Sequence, residues 1–385
     1  MKYELVDTYS ETAVIKVIGV GGGGGNAVNH MIDSNIDGVE FICANTDAQA
    51  LRKLSIGTII QLGVELTKGL GAGTNPDIGR QAAEENKERI KEVLQGADMV
   101  FLTAGMGGGT GTGAIPVIAS IAKEMGILTV AVVTKPFLFE GKKKQGVAER
   151  GIVELEKYVD SLITIPNQKL LPVLGNNVSL ADAFKAANDV LLDAVQGITE
   201  LIVHPGMINV DFADVRTVMS GMGAAIMGTG AASGENRARE AAEKAIACPL
   251  LEDINLQGAR GILVNISAAN MSMAEFSEVG NIVHEFASED AIIKIGTAID
   301  SSSGDEIKVT VVATGMGLPP VQVKATVKSM TQANSGAVNY DEFDKPTVSR
   351  QNRQENREGR TLSQQPTGGD LGYLDIPAFL RRQAD

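Results

Sequence analysis

The sequence predicts an α/β fold: a mainly parallel, Rossmann-like sheet, then one long central helix, then a smaller C-terminal α/β domain. Two observations carry this. Short apolar runs alternate with stretches rich in Ala, Glu and Lys over residues 13–165, the order that gives parallel strands joined by helices. Three glycine-rich turns each lie at a helix start, and such sheets bind ligands at the carboxyl ends of strands.

Strands are expected at Ala13–Val20, Val39–Asn45, Thr58–Leu62, Asp98–Thr103, Ile127–Thr134 and Ser161–Ile165. Between them, helices are expected from Ala27 to Ser34, from Pro76 to about Gln95 and from Ala114 to Met125. The central helix spans Ser179 to Ile202, because Leu180, Phe184, Ala187, Leu191, Leu192, Val195 and Ile198 recur at helical spacing. Ser179 suits its N-cap, and Asp182 its first turn. Its low polarity all round predicts burial between two domains. Further on, helices at Glu235–Ala247 and Met273–Ala287 mix with strands at Gly261–Ile266, Ile292–Gly296 and Ile307–Ala313. Residues 318–370 are polar and predict a disordered linker, spanning roughly 40 Å as a flexible coil. The chain closes on an apolar peptide, Tyr373 to Leu380, with a basic end at Arg381 and Arg382.

Composition excludes several functions. The net charge of −13, the 4% aromatic content and the absence of Trp argue against nucleic acid as a main partner. No apolar run approaches the roughly 18 residues of a membrane span, so direct membrane insertion is not expected. The N-terminus is acidic and polar, without the apolar core of a signal peptide. The two cysteines, Cys43 and Cys248, make no disulfide framework, and a reducing cytoplasm is expected. His30, His204 and His284 have no catalytic or metal-ligand spacing and read as structural.

The glycine turns carry the chemistry. Gly105 to Gly113 places two threonines among glycines before a helix. Consecutive N–H groups at the positive end of a helix dipole bind phosphate. There is no G-x-x-x-x-G-K-[ST] motif, so a metal ion, helix dipoles or another residue must neutralise charge. Gly19 to Asn26, with Gly22, Gly23, Gly24 and Gly25, fits G-x-G-x-x-G. Gly69 to Pro76, with Gly73 and Thr74, is the third turn. Three such turns suggest one polyphosphate gripped from several sides. Asp47 at the end of the second strand keeps a dinucleotide-binding oxidoreductase open, because such enzymes place an acid there for the ribose. A scaffold that binds nucleotide without turnover is a third reading.

Gly107 to Gly113 reads GGGTGTG, and with the other two turns and the segment Asn209 to Asp214 the chain resembles the tubulin/FtsZ family. The resemblance runs from about residue 12 to 317 and resumes in the last dozen residues. It implies a tubulin-like fold, with a GTP-binding domain at 12–178, a central helix at 179–203 and a C-terminal domain at 204–317. It further implies Mg²⁺, head-to-tail filaments, and assembly of a division ring at mid-cell on the inner face of the membrane. The peptide at 371–385 resembles the family's tail, which implies binding to membrane-tethered adaptors such as FtsA and ZipA.

Asp211 and Asp214 lie at i and i+3 where a helix begins, a spacing that by itself reads as capping. In the family, Asn209, Asp211 and Asp214 match the loop laid over a neighbour's nucleotide to polarise water. Phosphate contacts are expected from Gly109, Thr110, Gly111 and Thr112. Glu140 and Lys144 follow a strand end, where a carboxylate can accept from ribose and a cation can reach phosphate or ribose. Lys144 stands where the family typically has arginine, and Leu138 where it often has asparagine. Asn167, Phe184 and Asn188 are base-reading candidates, although Phe184 by spacing alone reads as core. Asp189 rivals Asn188, since a carboxylate suits the guanine donors.

Overall fold

The computed structural model describes residues 13–316 apart from 176–177, 205, 251–257, 289 and 302. The expected linker at 318–370 and tail peptide at 371–385 lie outside the described residues.

The apolar run Ile15–Val20 forms β1, buried along its whole length. It turns directly into α1 (Gly21–Asp33). There follow β2 (Val39–Asn45), α2 (Ala48–Arg52), β3 (Thr58–Gln61), α3 (Val64–Thr67), α4 (Pro76–Glu85), α5 (Lys87–Leu94) and β4 (Met99–Gly105). Next come α6 (Thr110–Glu124), β5 (Leu128–Lys135), α7 (Lys142–Leu155), β6 (Ser161–Pro166), the short α8 (Leu171–Leu174) and the long α9 (Leu180–Val203). The remainder is α10 (Phe212–Met219), β7 (Gly223–Ser233), α11 (Arg237–Ile246), β8 (Gly261–Ala268), α12 (Met273–Phe286), β9 (Ile292–Ile299) and β10 (Glu306–Thr314).

The strands join one sheet in the order β3-β2-β1-β4-β5-β6-β7-β10-β8-β9. Pairing is parallel except at β10, which runs antiparallel to both β7 and β8. The short parallel match of Ser161 to Ile163 with Gly223 to Ala225 joins the two halves. Alternation along β1 sends Ile15 and Val17 into one core and Ile18 and Val20 into another. α9 packs into the first core, and α4, α5 and α6 into the second. A third core lies under α11 and α12. Cys43 is plain core, and burial pushes its thiol up to about 12.

Several elements depart from the sequence reading. α1 starts at Gly21 rather than Ala27, although each glycine in a helix costs about 1 kcal/mol against alanine. Close packing overrides propensity there, since a Cβ on Gly24 would collide with the Thr103 carbonyl. α6 likewise starts at Thr110, not Ala114. The helix expected from Pro76 to Gln95 is two helices, parted at Asn86. The Asn86 side chain there accepts the Gly63 N–H at 2.7 Å. β7 was not legible, because its Gly- and Ala-rich sequence has low strand propensity. Those small residues let α11 lie against it, since a Cβ on Gly230 would strike the Ala241 carbonyl. β9 runs on to Ile299. α9 is not buried throughout: Leu191, Ala194, Val195, Ile198 and Leu201 are buried, whereas Leu180 and Phe184 are exposed.

Candidate functional site

β1, β4 and β5 lie side by side and parallel, so their carboxyl ends open together. A cavity of ≈ 380 Å³ sits there. Gly22, Gly23 and Asn26 line it from the turn at residues 19–26, Gly73 from the turn at 69–76, and Gly109, Thr110 and Gly111 from the turn at 105–113. Glu140 and Lys144 follow β5, and Asn167, Phe184 and Asn188 complete the wall. Segments far apart in sequence thus meet in one hollow.

The glycine turns touch each other. The Gly109 N–H donates to the Gly73 carbonyl at 3.0 Å. Gly21, at φ +73°, packs so close to Gly111 that a Cβ would stand 2.8 Å from its nitrogen. The N-termini of α1 and α6 both face the cavity, and neither has a side-chain cap. Their first N–H groups are therefore available to an anion. The Thr110 and Thr46 hydroxyls share a hydrogen bond of 2.6 Å.

Glu140 is held at both oxygens, accepting from the Phe137 N–H at 2.9 Å and from Lys144 Nζ at 2.5 Å. The Lys144 stem lies against Gly107, whose φ of +103° favours glycine. Phe184 is half-exposed and meets the buried Phe137 edge-on at 5.4 Å. It is a wall of the cavity rather than core. Asn167 is buried, yet its Oδ1 has no hydrogen-bond partner. A buried acceptor left empty beside a cavity marks where a ligand donor fits.

Four expected residues are not in the wall. Gly24 and Gly25 serve packing, Gly24 under Thr103 and Gly25 against Leu54. The Thr112 hydroxyl accepts the Gly107 N–H at 2.8 Å and braces the turn. Thr74 is exposed beside Gly73. Gly105, Met106 and Gly108 of the expected glycine-rich run also line the cavity, whereas Thr134 and Pro136 line it unpredicted, their only signal being their place at the end of β5.

Asp47 accepts from the Gln49 and Ala50 N–H groups at 2.8 and 3.2 Å, capping α2. Asp47 does not line the cavity formed by the glycine turns. Asp189 is paired with His30 at 2.6 Å.

Asn209, Asp211 and Asp214 do not line the cavity. Asp211 is the N-cap of α10, accepting the Asp214 N–H at 2.7 Å, as the spacing alone predicts. The Asp214 carboxylate pairs with Lys294 Nζ at 2.6 Å. Asn209 is exposed. No cluster of three acidic, His or Cys side chains able to hold a metal occurs among the described residues.

Residues 14–175 match the GTPase domain of the tubulin/FtsZ family, and residues 223–317 match the C-terminal domain of the FtsZ family. The chain is 62% identical to the cell division protein FtsZ of Pseudomonas aeruginosa, with 100% of each covered. It is 61% identical to that of Coxiella burnetii, with 99% of each covered. An FtsZ dimer from M. jannaschii superimposes with a TM-score of 0.76 at 44% identity, covering 79% of this chain and 88% of that one. CetZ2 from Haloferax volcanii shares the fold, with a TM-score of 0.67 at 19% identity over 78% of this chain and 92% of that one. Glycine turns, cavity and full-length similarity agree: the chain belongs to the tubulin/FtsZ family, as a GTP-hydrolysing cell division protein of the FtsZ type.

Proposed function

We propose that GTP hydrolysis by this chain is completed between two copies stacked head to tail. The observation that carries this is α9. Phe184 and Asn188 near its start line the cavity, while its end leads into the loop bearing Asn209, Asp211 and Asp214. Asn188 to Val203 is about 22 Å of helix, and none of the three loop residues lines the subunit's own cavity. The loop meets a nucleotide only when a second copy stacks on the first. Exposed apolar residues at both ends support the stack: Leu70 (84% exposed), Leu138 and Phe139 beside the cavity, Met207 (92% exposed), Met273 and Ile299 beside the loop. Unlike surfaces that repeat without closure build an open filament.

In this reading the phosphates rest on Gly22, Gly23, Gly73 and Gly109 to Gly111. Glu140 and Lys144 face the ribose, Phe184 stacks on guanine, and Asn167 and Asn188 hydrogen-bond its edge. Asp211 and Asp214 of the next copy orient water. Its oxygen bonds to the γ-phosphorus as the bond to the β–γ bridging oxygen breaks, leaving GDP and phosphate. The cavity offers a single carboxylate, Glu140, already paired. That donor set fits Mg²⁺ carried on phosphate oxygens and water, with Thr110 at hand. There the ion would reduce the phosphate charge. The tail peptide 371–385 would tether filaments to membrane-bound adaptors such as FtsA and ZipA at the mid-cell division site. In support, no helix among the described residues is long and apolar enough to cross a membrane.

Asp214→Ala tests the shared site. Isolated subunits should bind GTP as the parent does, while hydrolysis falls by about a hundredfold or more. Loss of GTP binding in the isolated subunit would assign the acid to its own cavity or fold instead.

A further inference from the structure

We propose that Lys294 is a positioning residue for hydrolysis: it fixes the Asp214 carboxylate and carries a compensating positive charge into the phosphate site of the next copy. This rests on the reading that Asp214 acts on a neighbour's nucleotide.

The geometry starts from β9, the edge strand of the sheet. The loop before α10 is fastened along it. The Gly206 N–H donates to the Thr297 carbonyl at 2.8 Å, and the Thr297 N–H donates to the Ile208 carbonyl at 2.9 Å. Val210 seats over Gly296, where a Cβ would stand 2.7 Å from its Cγ2. Lys294 is two residues from Gly296, hence on the same face of the strand. From there it reaches Asp214 Oδ1 at 2.6 Å. One strand therefore holds the loop by its backbone, its apolar side chain and its acid. Arg216, the other nearby cation, is turned away, over the Phe212 ring and toward the Gly126 carbonyl.

Charge explains why a lysine is useful there. Two carboxylates brought to the terminal phosphate repel it and each other. The cavity holds no P-loop lysine, and its Lys144 is paired with Glu140. Lys294 halves the formal negative charge of the acidic pair. Because its ammonium is bonded to Asp214, it arrives wherever that carboxylate arrives. A cation supplied across an interface to a phosphoryl group undergoing transfer is an established way to stabilise developing charge.

Full-length Lys294→Met, Lys294→Arg and Asp214→Asn chains test this, each mixed with parent at increasing fraction. GTP binding by isolated subunits, pelleted polymer and phosphate release per pelleted subunit are measured. Lys294→Met should bind GTP normally. Its kcat per pelleted subunit should fall about tenfold with KM little changed, the scale of one charge-assisted hydrogen bond. Lys294→Arg should restore most of the rate. Parental turnover per pelleted subunit in Lys294→Met, or failure of the arginine to rescue, overturns the proposal. If Asp214→Asn hydrolyses normally, the shared-site reading itself fails. If Asp214→Asn is inactive and Lys294→Met is normal, only the role of Lys294 fails.

Discussion

Asn167 shows how much one side chain adds to the cavity. Its Oδ1 is buried without a protein partner, a state that costs stability unless water or a ligand donor fills it. Guanine offers donors that adenine lacks at the same edge, and its exocyclic amine is absent from inosine. Asn167→Ala should therefore weaken GTP binding about tenfold. It should also narrow the preference for GTP over ITP, measured by equilibrium binding. An unchanged GTP-to-ITP ratio would mean the oxygen does not read that amine. At this scale the sequence was ambiguous in a definable way. Glycine looks the same whether it lines the cavity, as Gly22 and Gly23 do, or makes room for a neighbouring backbone, as Gly24 does under Thr103. Phe184 sat on an apolar helical pattern, and only its exposure at the start of α9 makes it a wall.

Among the elements, α11 and α12 depend on one buried cation. Arg237 is 7% exposed and ties Glu275 at 2.7 Å, the Asp305 carboxylate at 3.0 Å and the Asn270 carbonyl at 3.1 Å. Glu275 also closes the capping box of α12 with Ser272. The Arg237 guanidinium, with the Ser272 donors, holds the Glu275 carboxyl down to about 2 from the ordinary 4.5. In the unfolded chain that carboxyl titrates near its ordinary value. The cluster's contribution is therefore fully present above about pH 4.5 and is lost as pH falls toward 2. Arg237→Ala leaves the carboxylate without its partner and should destabilise the fold by about 3 kcal/mol. Urea denaturation at neutral pH measures this, and the difference from parent should shrink in acid. A constant difference down to pH 3 would mean the arginine acts through packing alone. None of this was legible from residue types, because its partners are 33, 38 and 68 residues away.

For the whole molecule, the proposed adaptor-binding peptide lies beyond the residues that match the family's GTPase and C-terminal domains. Residues 373–385 lie outside the described residues, but their sequence, apolar with two arginines after a polar stretch, suits a partner groove. Deleting them should leave GTP-driven light scattering and turnover unchanged while abolishing ring formation in cells. Normal rings without those residues would remove the adaptor role. Equal loss of scattering would place the peptide in assembly itself.

Periodicity and glycine spacing were enough for the α/β class, for most strands, and for the three turns that meet at the cavity. These are local properties: burial alternates with backbone geometry, and consecutive N–H groups need only adjacent residues. Which residues share the cavity was decided by the order β1, β4, β5 in the sheet, not by order in the chain. That the acidic loop does not line the cavity was decided in the tertiary structure, where the 24-residue α9 runs from the cavity wall toward the loop. The pairing of Asp214 with Lys294 was decided by the packing of a loop onto an edge strand 80 residues further along. No local pattern records a contact of that range, because its energy resides in tertiary packing rather than in the propensities of either segment.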